Sequence, residues 1–188
     1  MEEKIFRSVR MRAMLNFGIL YAVAGISALI TDILKTDKAD DFALFEGVVG
    51  IIFIVVVIIG FFIFRTIQKN TNSKVCTNFV EFWVINLLNL AIFVFLNLIN
   101  IDMKIVDFIF TIFAFLACYK YILVYLQLQK LSDEKLFYVC AFLFTLSEIF
   151  SCAELFDSVF TLGASAMLAI CPIVEFFAWY RTKRLKLV

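Results

Sequence analysis

The residues of this chain best suited to bind something are amides and carboxylates set inside apolar runs. The stretch NLLNLAIFVFLNLIN, residues 86–100, carries Asn86, Asn89, Asn97 and Asn100 among Leu, Ile, Phe, Val and Ala. At 100° per residue these four amides fall within about 80° of one another, so one inward side of a helix can hold them all. Glu46 and Glu148 lie several residues inside other apolar segments, and Asp107, Thr111, Asp157 and Thr161 mark the early turns of two more. An ionisable group in such a segment is costly and is by default a functional hypothesis. Together with Asp32, the carboxylates would line an acidic vestibule that concentrates cations or protons. The chemistry these types suggest is binding or passage of a small solute or cation. A second account stays open beside it. Amides can simply lock helices together, at roughly 0.6 kcal/mol on average and ~1–2 kcal/mol in favourable cases. Asp107 and Asp157 suit the positive ends of helix dipoles, and Ser151-x-x-Glu154 reads as a capping box.

Covalent chemistry finds little support. The chain has no histidine, which removes the usual imidazole base and the commonest metal ligand. There is no Gly-x-Ser-x-Gly turn, no Gly-rich phosphate loop and no intramembrane Gly-x-Gly-Asp motif. Asp107 and Asp157 could in principle activate water as a dyad, but nothing supplies a substrate or cofactor pocket. The expectation is a protein that is not an enzyme and needs no cofactor or metal.

The elements that must position these groups are membrane helices. Of 188 residues, 64% are hydrophobic and 18% charged, too apolar for a soluble domain. Six runs are long enough to cross a hydrocarbon core of ~30 Å, at about 13–34, 43–64, 80–101, 104–128, 136–152 and 156–180. Runs such as IIFIVVVIIGFFIF are apolar on every side, unlike the alternating strands of a barrel. The fold class expected is all-α: a polytopic transmembrane bundle, six helices as three hairpins, one domain over 1–188.

Lys and Arg set the orientation. Lys4, Arg7, Arg10, Arg12, Arg65, Lys69, Lys74, Lys130, Lys135, Arg181, Lys183, Arg184 and Lys186 fall on one side, against Lys35, Lys38 and Lys104 on the other. Both termini are therefore expected in the cytoplasm, with the plasma membrane as the host bilayer. A basic start and Ala22-Val23-Ala24 resemble a signal peptide, but the apolar run continues as an uncleaved anchor would. The net charge of +1 gives no reason to expect a nucleic-acid partner, although the basic termini could touch anionic headgroups. Trp83, Tyr125, Tyr138, Trp179 and Tyr180 fall near the same face, where interfacial aromatics belong.

Along the chain the longest expected loop is RTIQKNTNSKVCTNF, at 65–79. Glycines gather in the first two segments, where Ala24-x-x-x-Ala28 adds a small-residue face for close packing. An ungapped comparison of 91–114 with 141–164 gives seven identities, with Asp107, Thr111 and Ala114 matching Asp157, Thr161 and Ala164. That pattern suggests internal duplication. The fourth segment presents Asp107, Thr111, Cys118, Tyr121 and Tyr125 on one face, and the sixth presents Asp157, Thr161, Cys171 and Glu175. Lys120 lies opposite the fourth segment's stripe, placed to snorkel or to pair with Glu175 or Glu81. Pro172 is a candidate kink. The five cysteines show no Cys-x-x-Cys pair, and no disulfide within the chain is expected.

The first hairpin, FGILYAVAGISALI followed by EGVVGIIFIVVVIIGFF, resembles that of small bacterial acid-resistance membrane proteins, which also have six helices in three hairpins; the later hairpins lack that glycine pattern. The size, helix count and Ala24-x-x-x-Ala28 are similar to substrate-binding subunits of energy-coupling-factor importers, whose first helices dock a partner through small residues. That resemblance implies a membrane partner subunit. Each likeness covers a fragment, and neither carries residues over.

Overall fold

The structure, a computed structural model, describes residues 2–20, 39–99, 103–153 and 159–186. Helix α1 (Glu2–Ala13) runs into a π-helical stretch, Met14–Leu20. Then follow α2 (Ala39–Asn70), α3 (Val75–Leu98), α4 (Met103–Ser132), α5 (Leu136–Ala153) and α6 (Val159–Arg181). No strand occurs among the described residues. Five stretches are long and apolar enough to cross a membrane: Ile51–Asn70, Val75–Leu96, Ile105–Ser132, Leu136–Ala153 and Leu162–Arg181. At ~1.5 Å per residue the shorter of these match the hydrocarbon thickness, and the longer ones reach past it. Most of the first expected segment, 13–34, lies outside the described residues.

The outer surface is as apolar as the interior. Ile51, Ile54, Ile58 and Phe62 are exposed at three- and four-residue spacing on α2, as are Leu87, Leu90, Val94 and Leu98 on α3. A continuous apolar face of this kind belongs against acyl chains rather than water. Five such helices are those of an integral membrane protein.

The helices outrun the expected boundaries because their polar ends are tied down locally. The segment expected as a loop at 65–79 is mostly helical, with only residues 71–74 between α2 and α3. Gln68 closes that corner: its Nε2 donates to Thr77 Oγ1 at 3.1 Å, and its Oε1 accepts from Thr77 N at 3.0 Å. Thr71 Oγ1 donates to Ile67 O at 2.8 Å. At the α4–α5 corner Asp133 takes the left-handed conformation, φ 58°, and its N–H reaches back to Gln129 O at 2.7 Å. That is the usual device for ending a helix, here with Asp in place of Gly. Glu134 then caps α5 by accepting from Leu136 N at 3.2 Å.

Each helix packs beside its neighbours in sequence, and α6 returns against α1 and the π-helical stretch, which also pack on α2. The described helices thus close a ring. Its inside is filled by Phe17, Phe64, Phe79, Phe137, Trp179 and Leu128, all fully buried. Two close approaches make the first seam: Gly18 faces the Phe176 ring with no room for a Cβ, and a Cβ on Gly60 would lie 2.8 Å from Phe17 Cζ. Asn16 adds a polar tie, donating from Nδ2 to Val56 O at 2.9 Å. Arg10 Nη2 donates to Tyr180 O at 2.7 Å and joins α1 to the end of α6.

Candidate functional site

The asparagine stripe is spent largely on backbone. Asn86 is half-buried and donates from Nδ2 to Phe82 O of its own helix at 2.9 Å. Asn89 is 3% exposed and donates to Phe110 O of α4 at 3.4 Å, while its Oδ1 is buried without a hydrogen bond. On α4, Thr111 Oγ1 donates to Asp107 O at 2.8 Å, with both residues half-buried. These four belong to one hairpin, α3 with α4. Glu148 of α5 is also half-buried. Asn97, Glu46 and Thr161 lie on α3, α2 and α6, with side chains outside the described residues. Asn100, Asp157, Asp32, Glu154 and Ala24-x-x-x-Ala28 lie outside them altogether.

The interior has a different polar centre, nearer the basic connections. Tyr125 of α4 donates from Oη to Glu175 Oε2 of α6 at 2.9 Å. The same hydroxyl lies 3.6 Å from Cys171 Sγ, one turn before Glu175. Cys171 Sγ in turn donates to Cys140 O of α5 at 3.6 Å. Glu175 is 2% exposed, and Tyr125, Cys171 and Cys140 are buried with it. Glu175 Oε1 has no well-aligned hydrogen bond, although the buried Trp179 indole lies near the carboxylate. Among the described residues no basic side chain forms an ion pair with Glu175.

Aromatic rings seal this centre. Tyr121 meets Tyr125 edge-on at 5.1 Å and lies 4.6 Å from Phe82 and 4.8 Å from Phe144. Phe137 meets Trp179 edge-on at 5.3 Å. Tyr125 and Trp179 are therefore interior residues, not the interfacial aromatics the sequence suggested, because their helix faces turn toward α5 and α6 rather than toward lipid. Tyr138 and Tyr180, by contrast, are 50% and 57% exposed.

Lys120 resolves differently from Glu175. Its Nζ lies 2.6 Å from Glu81 Oε2, with side chains 30% and 43% exposed, so it pairs with α3 on the outside of the ring. Both Tyr125 and Glu175 stood on polar faces in the sequence. What hid the centre is that α4 and α6 are not neighbours along the chain, and the depth of a side chain is set by the helix between them. All five cysteines are free thiols, and among the described residues no cluster of three or more His, Cys, Asp or Glu could hold a metal.

Chemically, a carboxyl group held without a cationic partner inside a low-dielectric shell carries a cost of several kcal/mol whenever it is an anion. Such a group responds strongly to any proton or cation that reaches it. The neighbouring phenol orients one of its oxygens, and the thiols add weak, polarisable contacts. Compared with protein-family models, with curated proteins and with solved structures, the chain shows no match.

Proposed function

We propose that this chain is a non-enzymatic polytopic protein of the plasma membrane that binds or passes a small solute or cation, including the proton, through the bundle interior. In this reading it has six spanning helices in three hairpins, with both termini in the cytoplasm. The observation that carries the reading is Glu175: a carboxylate wholly inside the ring, bonded to Tyr125 and unmatched by a basic group. Ionisable groups facing a bundle interior commonly mark ion and substrate pathways. Glu148 and the amides of Asn86 and Asn89 would serve as further polar stations toward the far end. The test is flux in liposomes holding a pH-sensitive dye, driven by a potassium diffusion potential. The wild-type chain is expected to acidify or alkalinise the lumen faster than empty liposomes, and Glu175→Gln to remove at least nine-tenths of that excess, on the order of a tenfold loss. Equal rates in the two proteins would overturn the reading.

A second reading has its own observation in its favour. The amide donors of Asn86, Asn89 and Asn16 all end on backbone carbonyls, two of them on another helix. That is how polar groups lock transmembrane helices. In a membrane interaction or stress-related protein of this kind, Asn89→Leu lowers thermal stability and no variant changes flux.

A further inference from the structure

At the end of the bundle where α2 meets α3 and α4 meets α5, a cleft of about 390 Å³ opens. Three lysines line it from separate parts of the chain: Lys74 ahead of α3, Lys130 in the last turn of α4, and Lys186 beyond α6. Asn72 and Gln127 complete the wall. Lys186 is anchored there, its N–H donating to Leu131 O at 2.9 Å and its Nζ lying 2.7 Å from Asp133 Oδ1. Neither Lys74 nor Lys130 forms an ion pair among the described residues. The nearby Glu134 is already engaged by Arg181 at 3.6 Å. Three ammonium groups therefore face one carboxylate, and the cleft carries a net positive charge.

The cleft lies between the N-terminal end of α3 and the C-terminal ends of α2 and α4, so the helix dipoles oppose one another there and the lysines supply its charge. The spanning stretches of α2 and α4 end at Asn70 and Ser132, so the cleft lies at the end of the spanning part of the bundle. Its volume lies within the usual range for small-ligand sites, ~300–1,000 Å³.

We propose that this cleft binds an anionic phosphate group, with Lys74, Lys130 and Lys186 around it. The phosphate can come from a lipid headgroup or from a soluble ester, and the test separates the two. Native mass spectrometry of the purified chain would compare retention of phosphatidylglycerol, phosphatidylmethanol and phosphatidylcholine, and binding of glycerol 3-phosphate from solution. The wild-type chain is expected to retain phosphatidylglycerol and phosphatidylmethanol, which share an anionic phosphodiester, over zwitterionic phosphatidylcholine. Combined Lys74→Gln, Lys130→Gln and Lys186→Gln should weaken binding by roughly fivefold per lysine. Lys183→Gln with Arg184→Gln, at the same end but outside the cleft, should change it less than twofold. Lysine-dependent binding of glycerol 3-phosphate would assign a soluble source, and its absence beside retained phosphatidylglycerol a lipid one. No lysine-dependent binding of either, or an equal loss in the Lys183/Arg184 control, would overturn the proposal. So would a wild-type chain that neither prefers phosphatidylglycerol over phosphatidylcholine nor binds glycerol 3-phosphate, a result independent of how the variants fold.

Discussion

Around Tyr125 and Glu175 the helices are spaced by rings, whereas around Asn89 and Ser147 they meet through small side chains and backbone. At the basic end Phe17 stacks on Phe64 at 5.3 Å, Phe64 meets Phe79 at 4.8 Å, and Trp179 is fully buried. Toward the other end the buried residues include Ala117, Ala164, Ser165 and Ala169, and Ser147 Oγ donates to Ala164 O at 3.5 Å. Lipid tails are as apolar as leucine, so neither half gains much by hiding hydrocarbon; both must rely on packing and hydrogen bonds. The difference lies in what each half can enclose. Rings can wall off a carboxylate inside the bundle, whereas small residues bring backbones close enough for an amide to reach a neighbouring carbonyl.

The largest expected effect is at the ringed end. Trp179→Ala removes a fully buried indole from the core and is expected to destabilise the chain by about 3–5 kcal/mol, read as a lower midpoint in detergent denaturation. If it unfolds no earlier than a far-end variant such as Ala169→Ser, the contrast between the halves fails. Asn89→Leu comes next, at ~0.6 kcal/mol and up to ~2 kcal/mol, since it deletes the bond to Phe110 O. The leucine also ends the burial of an unpaired Oδ1, which holds the cost near the lower figure. Smallest is Lys120→Gln. Its pair with Glu81 is about a third exposed, and exposed pairs contribute ~0–1 kcal/mol; a shift in midpoint larger than that of Asn89→Leu would mean this pair, not the interior, fastens α3 to α4.

The existence of spanning helices was legible from run length alone, because only a helix or a closed barrel satisfies its backbone in lipid. Their ends were less so. Gln68 and Thr77 belonged to an apparent loop until their hydrogen bonds to each other closed the corner between α2 and α3. Helical arithmetic put Asn86 and Asn89 on one side of α3, but it does not say whether such amides face a cavity or a carbonyl. The polar centre was the least legible part. Tyr125, Cys171 and Glu175 were visible as face residues, yet Tyr125 and Trp179 read equally well as interfacial aromatics. Residue type does not encode depth in helices apolar all round, and only the packing of α4, α5 and α6 decides it.

The account stands on a carboxylate and a phenol acting as one unit inside the ring. A double-mutant cycle on folding stability with Tyr125→Phe and Glu175→Leu measures that unit directly. A hydrogen bond between uncharged groups contributes about 0.5–1.5 kcal/mol net, so the two substitutions should be coupled by at least ~0.5 kcal/mol. Strictly additive effects would mean that Glu175 does not meet Tyr125 in the interior, and the account would be contradicted.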